Sequence, residues 1–301
     1  MWRSKFTNSF QTNGGGLDTH KPMKKLFILA VVMLAGLGSC KKDETISADP
    51  LADAKTAIEA KYKALGWDKD GHAPFNGGGA AKTQGGGGYV QYYAIGSGKS
   101  AIYYYGGRGA FGMNQSEMQA YDAAGQDKFA FVVSDAKPCG SGCGYNDMIM
   151  TKDNSEGINL LGRWVYGEIY KKYKAVNRWD GPLGLPVISE SNGQTAGSRY
   201  NDFAKTGSTV TGAIIFNSTT GAQAVWGKIY TLWGKTNWDI GWLGLPTESS
   251  DPNKADANQK VSFQKGSIGV GSNGTCGNYY DNSGLSVFQN GTKGTGTPPC
   301  Y

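Results

Sequence analysis

Leu-Gly-Leu-Pro occurs twice in this chain, as Leu183-Gly184-Leu185-Pro186 and Leu243-Gly244-Leu245-Pro246, 60 residues apart. The neighbours keep that offset: Val165, Gly167, Ile169 and Tyr170 recur as Val225, Gly227, Ile229 and Tyr230, and Asn177, Gly181 and Phe203 as Asn237, Gly241 and Phe263. A shared offset over such a stretch marks an internal repeat. A small unit cannot bury its own apolar face, so successive units must stack, and stacked arrays present surfaces more readily than they enclose deep pockets.

The apolar spacing sets the content of a unit. Val165, Ile169 and Tyr173 share one face of a helix over 164–176, and Val225, Ile229 and Trp233 one face of a helix over 225–234. Trp164, Trp226 and Trp233 read as core residues of these helices. Each helix leads to Trp-Asp and Gly (Trp179-Asp180-Gly181; Trp238-Asp239 with Gly241), where Asp and Gly fit a turn, and the Pro of Leu-Gly-Leu-Pro stops any helix restarting. An offset near 112 exposes an earlier unit, in which Ile58, Tyr62, Trp67-Asp68, His72 and Pro74 align with Ile169, Tyr173, Trp179-Asp180, Gly184 and Pro186. A worn unit lies between: Met113, Glu117 and Tyr121 align with Val225, Ile229 and Trp233, and Pro138-Cys139 stands near the missing Leu-Gly-Leu-Pro. Helix starts thus fall near 58, 113, 165 and 225. Apolar runs at 89–95, 100–105, 212–216 and 261–268, separated by Gly turns, read as paired strands. The fold class is α+β: about four helix-plus-β-hairpin units near 55–112, 113–163, 164–223 and 224–275, followed by a C-terminal segment, 276–301.

A targeting segment precedes the array. Met23-Lys24-Lys25, the apolar run 26–37 and Gly38-Ser39-Cys40 give a basic start, a short apolar core and small residues before a cut site, the layout of a secretory signal too short to span a bilayer. Leu37-Gly38-Ser39-Cys40 resembles a bacterial lipobox, which implies cleavage before Cys40 and acylation there; several acyl chains anchor firmly where one does so only marginally. Residues 1–22 then read as an over-extended start, 23–39 as the signal and 40–54 as a polar tether. The leader carries five basic residues and one acidic residue, so removing it from totals of 30 and 24 leaves 25 basic and 23 acidic groups. A mature charge of +2 gives no electrostatic case for nucleic acid. Cys139, Cys143, Cys276 and Cys300 remain, an even number that favours disulfides in an exported chain; local pairing, Cys139–Cys143 and Cys276–Cys300, is the choice among three.

The repeat is similar to the LGFP repeat. Leu183–Pro186 and Leu243–Pro246 carry the resemblance best, with Leu in place of the usual Phe; Phe203 with Gly207, Gly212-Ala213-Ile214, and Gly221-Ala222 with Val225 extend it. It covers roughly 55–270. The resemblance implies a cell-envelope protein that holds to the wall through polysaccharide, and an array that can close into a propeller-like ring. It also implies an anchoring module that here stands without the amidase or esterase domain often found beside it.

Catalytic patterns are sparse. The mature chain has one histidine, His72, and no Gly-x-Ser-x-Gly elbow. Gly96-Ser97-Gly98-Lys99-Ser100 ends like a phosphate-cradling loop, but Tyr93 stands where its first glycine belongs. The expectation is a protein that is not an enzyme and needs no cofactor and no metal. The binding candidates are Trp67, Asp68, Trp179, Asp180, Trp238 and Asp239, since flat aromatic faces stack on sugar rings while carboxylates take hydroxyls. The same tryptophans would equally serve as packing keystones. A protein-interaction or adhesin module is the alternative function, and a hydrolase acting on glycan or peptidoglycan a further one. The partners expected are cell-wall or extracellular polysaccharide and, through Cys40, a bilayer; the location is exported, at the outer membrane or cell surface. Cys40→Ala is therefore expected to leave the protein unlipidated and soluble on detergent phase partition; unchanged membrane partition would refute the assignment.

Overall fold

The first helix begins where a capping carboxylate meets a proline. Asp49 accepts the N–H groups of Leu51 and Ala52 at 3.0 and 3.1 Å, and Pro50 sits in the first turn, so α1 (Pro50–Ala64) starts inside the stretch expected as tether. The computed structural model describes residues 49–75, 79–82, 87–123, 130–139, 143–254, 256–272, 277–282 and 286–287, all within the unit Ser47–Tyr301. The leader, Cys40, Cys276 and Cys300 lie outside the described residues.

Among these residues, three more helices follow: α2 (Gln115–Ala123), α3 (Gly167–Ala175) and α4 (Gly227–Lys235). Each helix precedes an antiparallel sheet, at 73–113, 130–166, 185–226 and 260–287. In the third sheet, Leu185–Pro186 and Ser191–Asn192 both pair with Arg199–Ala204, which pairs with Gly212–Asn217, which pairs with Gly221–Trp226. The first two sheets repeat this order. The expected hairpin is thus a three-stranded meander, and its last strand runs into the next helix. Trp164 and Val165 lie on the strand Arg163–Tyr166, and Val225 and Trp226 on Gly221–Trp226, not on helices as their spacing suggested. The helices start at Gly167 and Gly227, each at φ +60°, the left-handed conformation that lets a strand turn sharply. The misleading period has a physical cause: Val165, Ile169 and Tyr173 share one core across the strand-to-helix joint.

Each of α2, α3 and α4 is held between two sheets. α3 packs on Glu156–Leu160 and Arg163–Tyr166 behind it and on Gly212–Asn217 and Gly221–Trp226 ahead; α4 repeats this between the third and fourth sheets. α1 packs extensively on the first sheet alone. Among the described residues α1 makes no extended packing on the fourth sheet, and no closed ring is found.

The Leu-Gly-Leu-Pro turn joins helix to sheet. Leu183 and Leu243 are fully buried, each contributing about 2 kcal/mol by removal from water. Gly184 has φ +75°, and a Cβ there would lie 2.2 Å from the Ala204 carbonyl oxygen. Pro186 stands opposite Phe203, and Pro246 opposite Phe263. The glycine carbonyls are bonded from the helices: Tyr173 Oη donates to Gly184 O at 2.6 Å, and Trp233 Nε1 to Gly244 O at 3.1 Å. Tyr62 Oη donates likewise to His72 O at 2.6 Å, two residues before Pro74, and Tyr121 Oη to Ala130 O at 3.0 Å. This last bond locates the worn joint. Ala130 and Val132 pair with Met150 and Met148 as Pro186 pairs with Phe203, so Val132 occupies the proline position. Pro138, expected near that place, instead pairs with Gly144 in a second short strand, in the register of Asn192. The Cys139–Cys143 disulfide closes the connection beyond it.

Buried asparagines tie the second and third sheets each to the one before. Asn146 Nδ2 donates to Gly112 O and Ser134 O at 3.1 and 3.0 Å, and Asn201 Nδ2 to Trp164 O and Ile188 O at 3.1 and 3.0 Å. Gly112 and Trp164 lie on the last strands of the preceding sheets, so one amide grips two layers.

Tyr173→Phe keeps the ring and strips Gly184 O of its buried donor. It should lower unfolding free energy in urea by about 1–3 kcal/mol, against no more than a few tenths for Tyr104→Phe on the half-buried sheet face. Equal losses at the two sites would show that the bond does not hold the joint.

Candidate functional site

The three Trp-Asp pairs do not form equivalent sites. Trp67 is 5% exposed, stacked flat on His72 at 4.2 Å and set edge-on to Tyr93, while Asp68 is exposed on the surface. The other two pairs differ by one position in backbone register. Asn177 and Asn237 are both left-handed, as are Arg178 and Trp238 after them, and both short helical turns (Arg178–Asp180, Trp238–Ile240) end at Gly181 and Gly241. Trp238 therefore matches Arg178, and Asp239 matches Trp179. Trp179 packs on Tyr145 at 4.8 Å, and Asp180 is exposed.

Trp238 lines a cleft between the third sheet and α4. Its ring lies against Tyr230 at 4.6 Å and edge-on to Trp233 at 5.2 Å. Gly234 provides the seat: a Cβ there would lie 2.7 Å from the Trp238 ring, which justifies a glycine inside a helix at roughly 1 kcal/mol. Tyr200 and Asp202 form the opposite wall, and the cavity measures about 240 Å³. Asp239 is 8% exposed and mainly positions this wall. Its Oδ2 accepts Thr195 N–H at 2.7 Å and Ser198 Oγ–H at 3.2 Å, and its carbonyl accepts Thr195 Oγ1–H at 2.9 Å. These bonds hold the loop 193–198 over the cleft mouth.

Asp202 supplies the chemistry. It is half-buried, and burial raises its carboxyl to about 6, opposed by the hydrogen bond that Tyr230 Oη donates to Oδ1 at 3.4 Å. Burial and the Asp202 charge push the Tyr230 phenol well up, so it remains a donor. Sequence reading missed Asp202, Tyr200 and Tyr230. The signal was the recurrence of Tyr145-x-Asp147 as Tyr200-x-Asp202, invisible at the offset of 60 because the loop between Leu-Gly-Leu-Pro and its strand differs in length between units.

The same frame stands one unit earlier, closed. Asp147 pairs with Ile158 and Asp202 with Ala213 at corresponding points of their sheets, and Tyr170 corresponds to Tyr230. There Trp179 covers Tyr145, the Arg178 guanidinium lies over Trp179 at 4.5 Å and over Tyr145 at 5.9 Å, and Lys137 Nζ pairs with Asp147. In the first sheet Tyr92 takes the carboxylate position, opposite Ala101.

Two other places gather polar side chains. A wider groove of about 600 Å³ runs past Trp164 and Tyr166, and Arg199 crosses it, bonding Glu190 at 2.6 Å, Tyr166 Oη at 2.8 Å and, beyond the groove, Asn192 at 2.9 Å. His72 links Asp70 through Nδ1 to Ser100 through Nε2 at 3.2 Å, a serine–histidine–aspartate order. Accessibility runs the wrong way for hydrolysis: Ser100 is 1% exposed and Asp70 is the exposed member. Gly96-Ser97 forms the two-residue hairpin turn between Ile95 and Gly98.

The LGFP repeat family model matches residues 183–241. That segment runs from the first Leu-Gly-Leu-Pro through the third sheet and α4 to Gly241, and it contains every residue lining the cleft. No curated protein matches the chain.

The raised Asp202 carboxyl should make stability depend on pH. Its folded value of about 6 lies above the unfolded 3.8, so its contribution is present in full below about 4 and is lost as pH rises through about 6. Asp202→Asn removes that loss. The difference in unfolding free energy between native chain and variant should move in the variant's favour from pH 4 to 7, by at most about 3 kcal/mol. A constant difference would contradict the burial of this carboxyl.

Proposed function

We propose that this LGFP-repeat protein is a non-catalytic, lipid-anchored component of the cell envelope, built of four LGFP-like units, that binds a cell-wall or extracellular polysaccharide. The cleft between the third sheet and α4 carries the reading. Half-buried aromatic rings on both walls offer apolar faces to a sugar ring, and Asp202, Tyr230 and the loop 192–194 offer polar groups to its substituents. At about 240 Å³ the cavity suits a single sugar unit, not a buried oligomer. The family match supports envelope association, and the leader ending in Cys40 supports export and acylation.

The clefts are not copies of one site. With one open and the corresponding one filled by Trp179 and Arg178, avidity for a polymer comes from many copies of the chain on one membrane, not from repeats within one chain. The alternative of a protein partner draws on the same aromatic wall, and protease treatment of the polymer separates the two.

Trp238→Ala should reduce retention on protease-treated envelope polysaccharide by about tenfold, the loss of one good stacking contact, with its far-ultraviolet circular dichroism unchanged. Trp179→Ala should destabilise the chain and leave retention by the folded fraction intact. Full retention by Trp238→Ala would remove this cleft from the binding surface.

A further inference from the structure

The closed and open clefts share Tyr-Asp-Tyr, and what differs is the positive charge around it. Around Tyr145, Asp147 and Tyr170, the chain places three cations of its own. Lys137 Nζ pairs with Asp147 and lies 5.8 Å from the Tyr145 ring centre. The Arg178 guanidinium lies over Trp179 and Tyr145, and Lys174 Nζ lies 4.7 Å over Tyr170. The open cleft loses all three. Ser191 stands in the register of Lys137, opposite Tyr200 as Lys137 is opposite Tyr145; Trp238 replaces Arg178, and Gly234 replaces Lys174. No Lys, Arg or His is among the described residues lining it.

Resting on the reading of this cleft as a glycan site, we infer that it recognises a cationic group: the ammonium of an amino sugar whose nitrogen is not acylated, set where the chain's own Lys137 and Arg178 sit one unit earlier. Aromatic faces attract a cation through their quadrupole, most strongly where water is excluded. Tyr200, Tyr230 and Trp238 present such faces, and Asp202 supplies the counter-charge that Asp147 supplies to Lys137. The groups facing Asp202 are Tyr230 from α4, Tyr200 on its own strand and Asp239 from the turn after α4; Asp239 is occupied by Thr195 and Ser198. Burial of Asp202 makes recognition pH-dependent: protonation below about 6 removes the anion and the cation's partner together.

The test is calorimetric titration of the full chain with two oligosaccharides of equal length, one of N-trimethylated glucosamine and one of N-acetylglucosamine. The trimethylated sugar keeps its charge at every pH, so any pH effect belongs to the protein. It should bind about tenfold or more tighter than the acetylated sugar at neutral pH, and the preference should vanish well below the Asp202 value. Asp202→Asn, nearly isosteric, should abolish both the preference and its pH dependence. Trp238→Arg, which restores the internal cation, should block the trimethylated sugar, and Asp147→Asn should leave the preference intact. Equal affinity for the two sugars, or a preference that survives Asp202→Asn, overturns cation recognition and leaves the glycan reading standing. Binding of neither sugar overturns the inference as well, and retention on the envelope polymer then decides the broader reading by itself.

Discussion

A hydrogen bond from a buried or half-buried aromatic side chain to a backbone carbonyl holds each of the four described helices to its sheet. Tyr62, Tyr121, Tyr173 and Trp233 project from successive helices and donate to His72, Ala130, Gly184 and Gly244. The donor needs only a ring that reaches across the core and a polar tip; the acceptor is main chain and needs no particular side chain. The joint therefore tolerates extensive sequence change. It survives with Ala130 and Val132 in place of Gly and Pro, and with indole in place of phenol. In a low-dielectric core an unpaired carbonyl is costly, which fixes the depth at which each helix sits and hence where the next strand starts.

This explains which features were legible in the sequence. The helix faces, the strands at 89–95 and 212–216 and the local disulfide follow from spacing and composition, because burial imposes those patterns directly. Two departures share one origin: the units correspond by main chain and not by residue identity. Pro138 looked like the lost turn because it is a proline, yet Val132 fills that place. Trp179 and Trp238 looked equivalent because each precedes an aspartate, yet the left-handed pairs Asn177-Arg178 and Asn237-Trp238 set the register one residue apart. The strand-to-helix joint at Gly167 and Gly227 was hidden because both sides of the joint face one core.

That one-residue slip has chemical weight. It exchanges Arg178 for Trp238 and Trp179 for Asp239 at fixed backbone positions. In one copy a large ring falls inward and a guanidinium covers it; in the other a short carboxylate turns to a neighbouring loop, and the ring stands at the edge of a cavity. The Tyr-Asp-Tyr frame beneath does not change. The sequence repeat reveals the scaffold, and the departures from repetition reveal the site.

The continuity of each meander with the following helix changes what counts as a module. α2, α3 and α4 each have one face committed to the sheet behind and another to the sheet ahead, so a helix cut out with its own following sheet would leave half its apolar surface bare. The smallest piece with a finished interior is sheet, helix, sheet, as in 130–226. A one-dimensional chain of such overlapping pieces has strong nearest-neighbour coupling and weak intrinsic stability per piece. Loss of an interior helix would then sever the cooperative chain and leave two fragments that melt independently, whereas trimming an end would only shorten it.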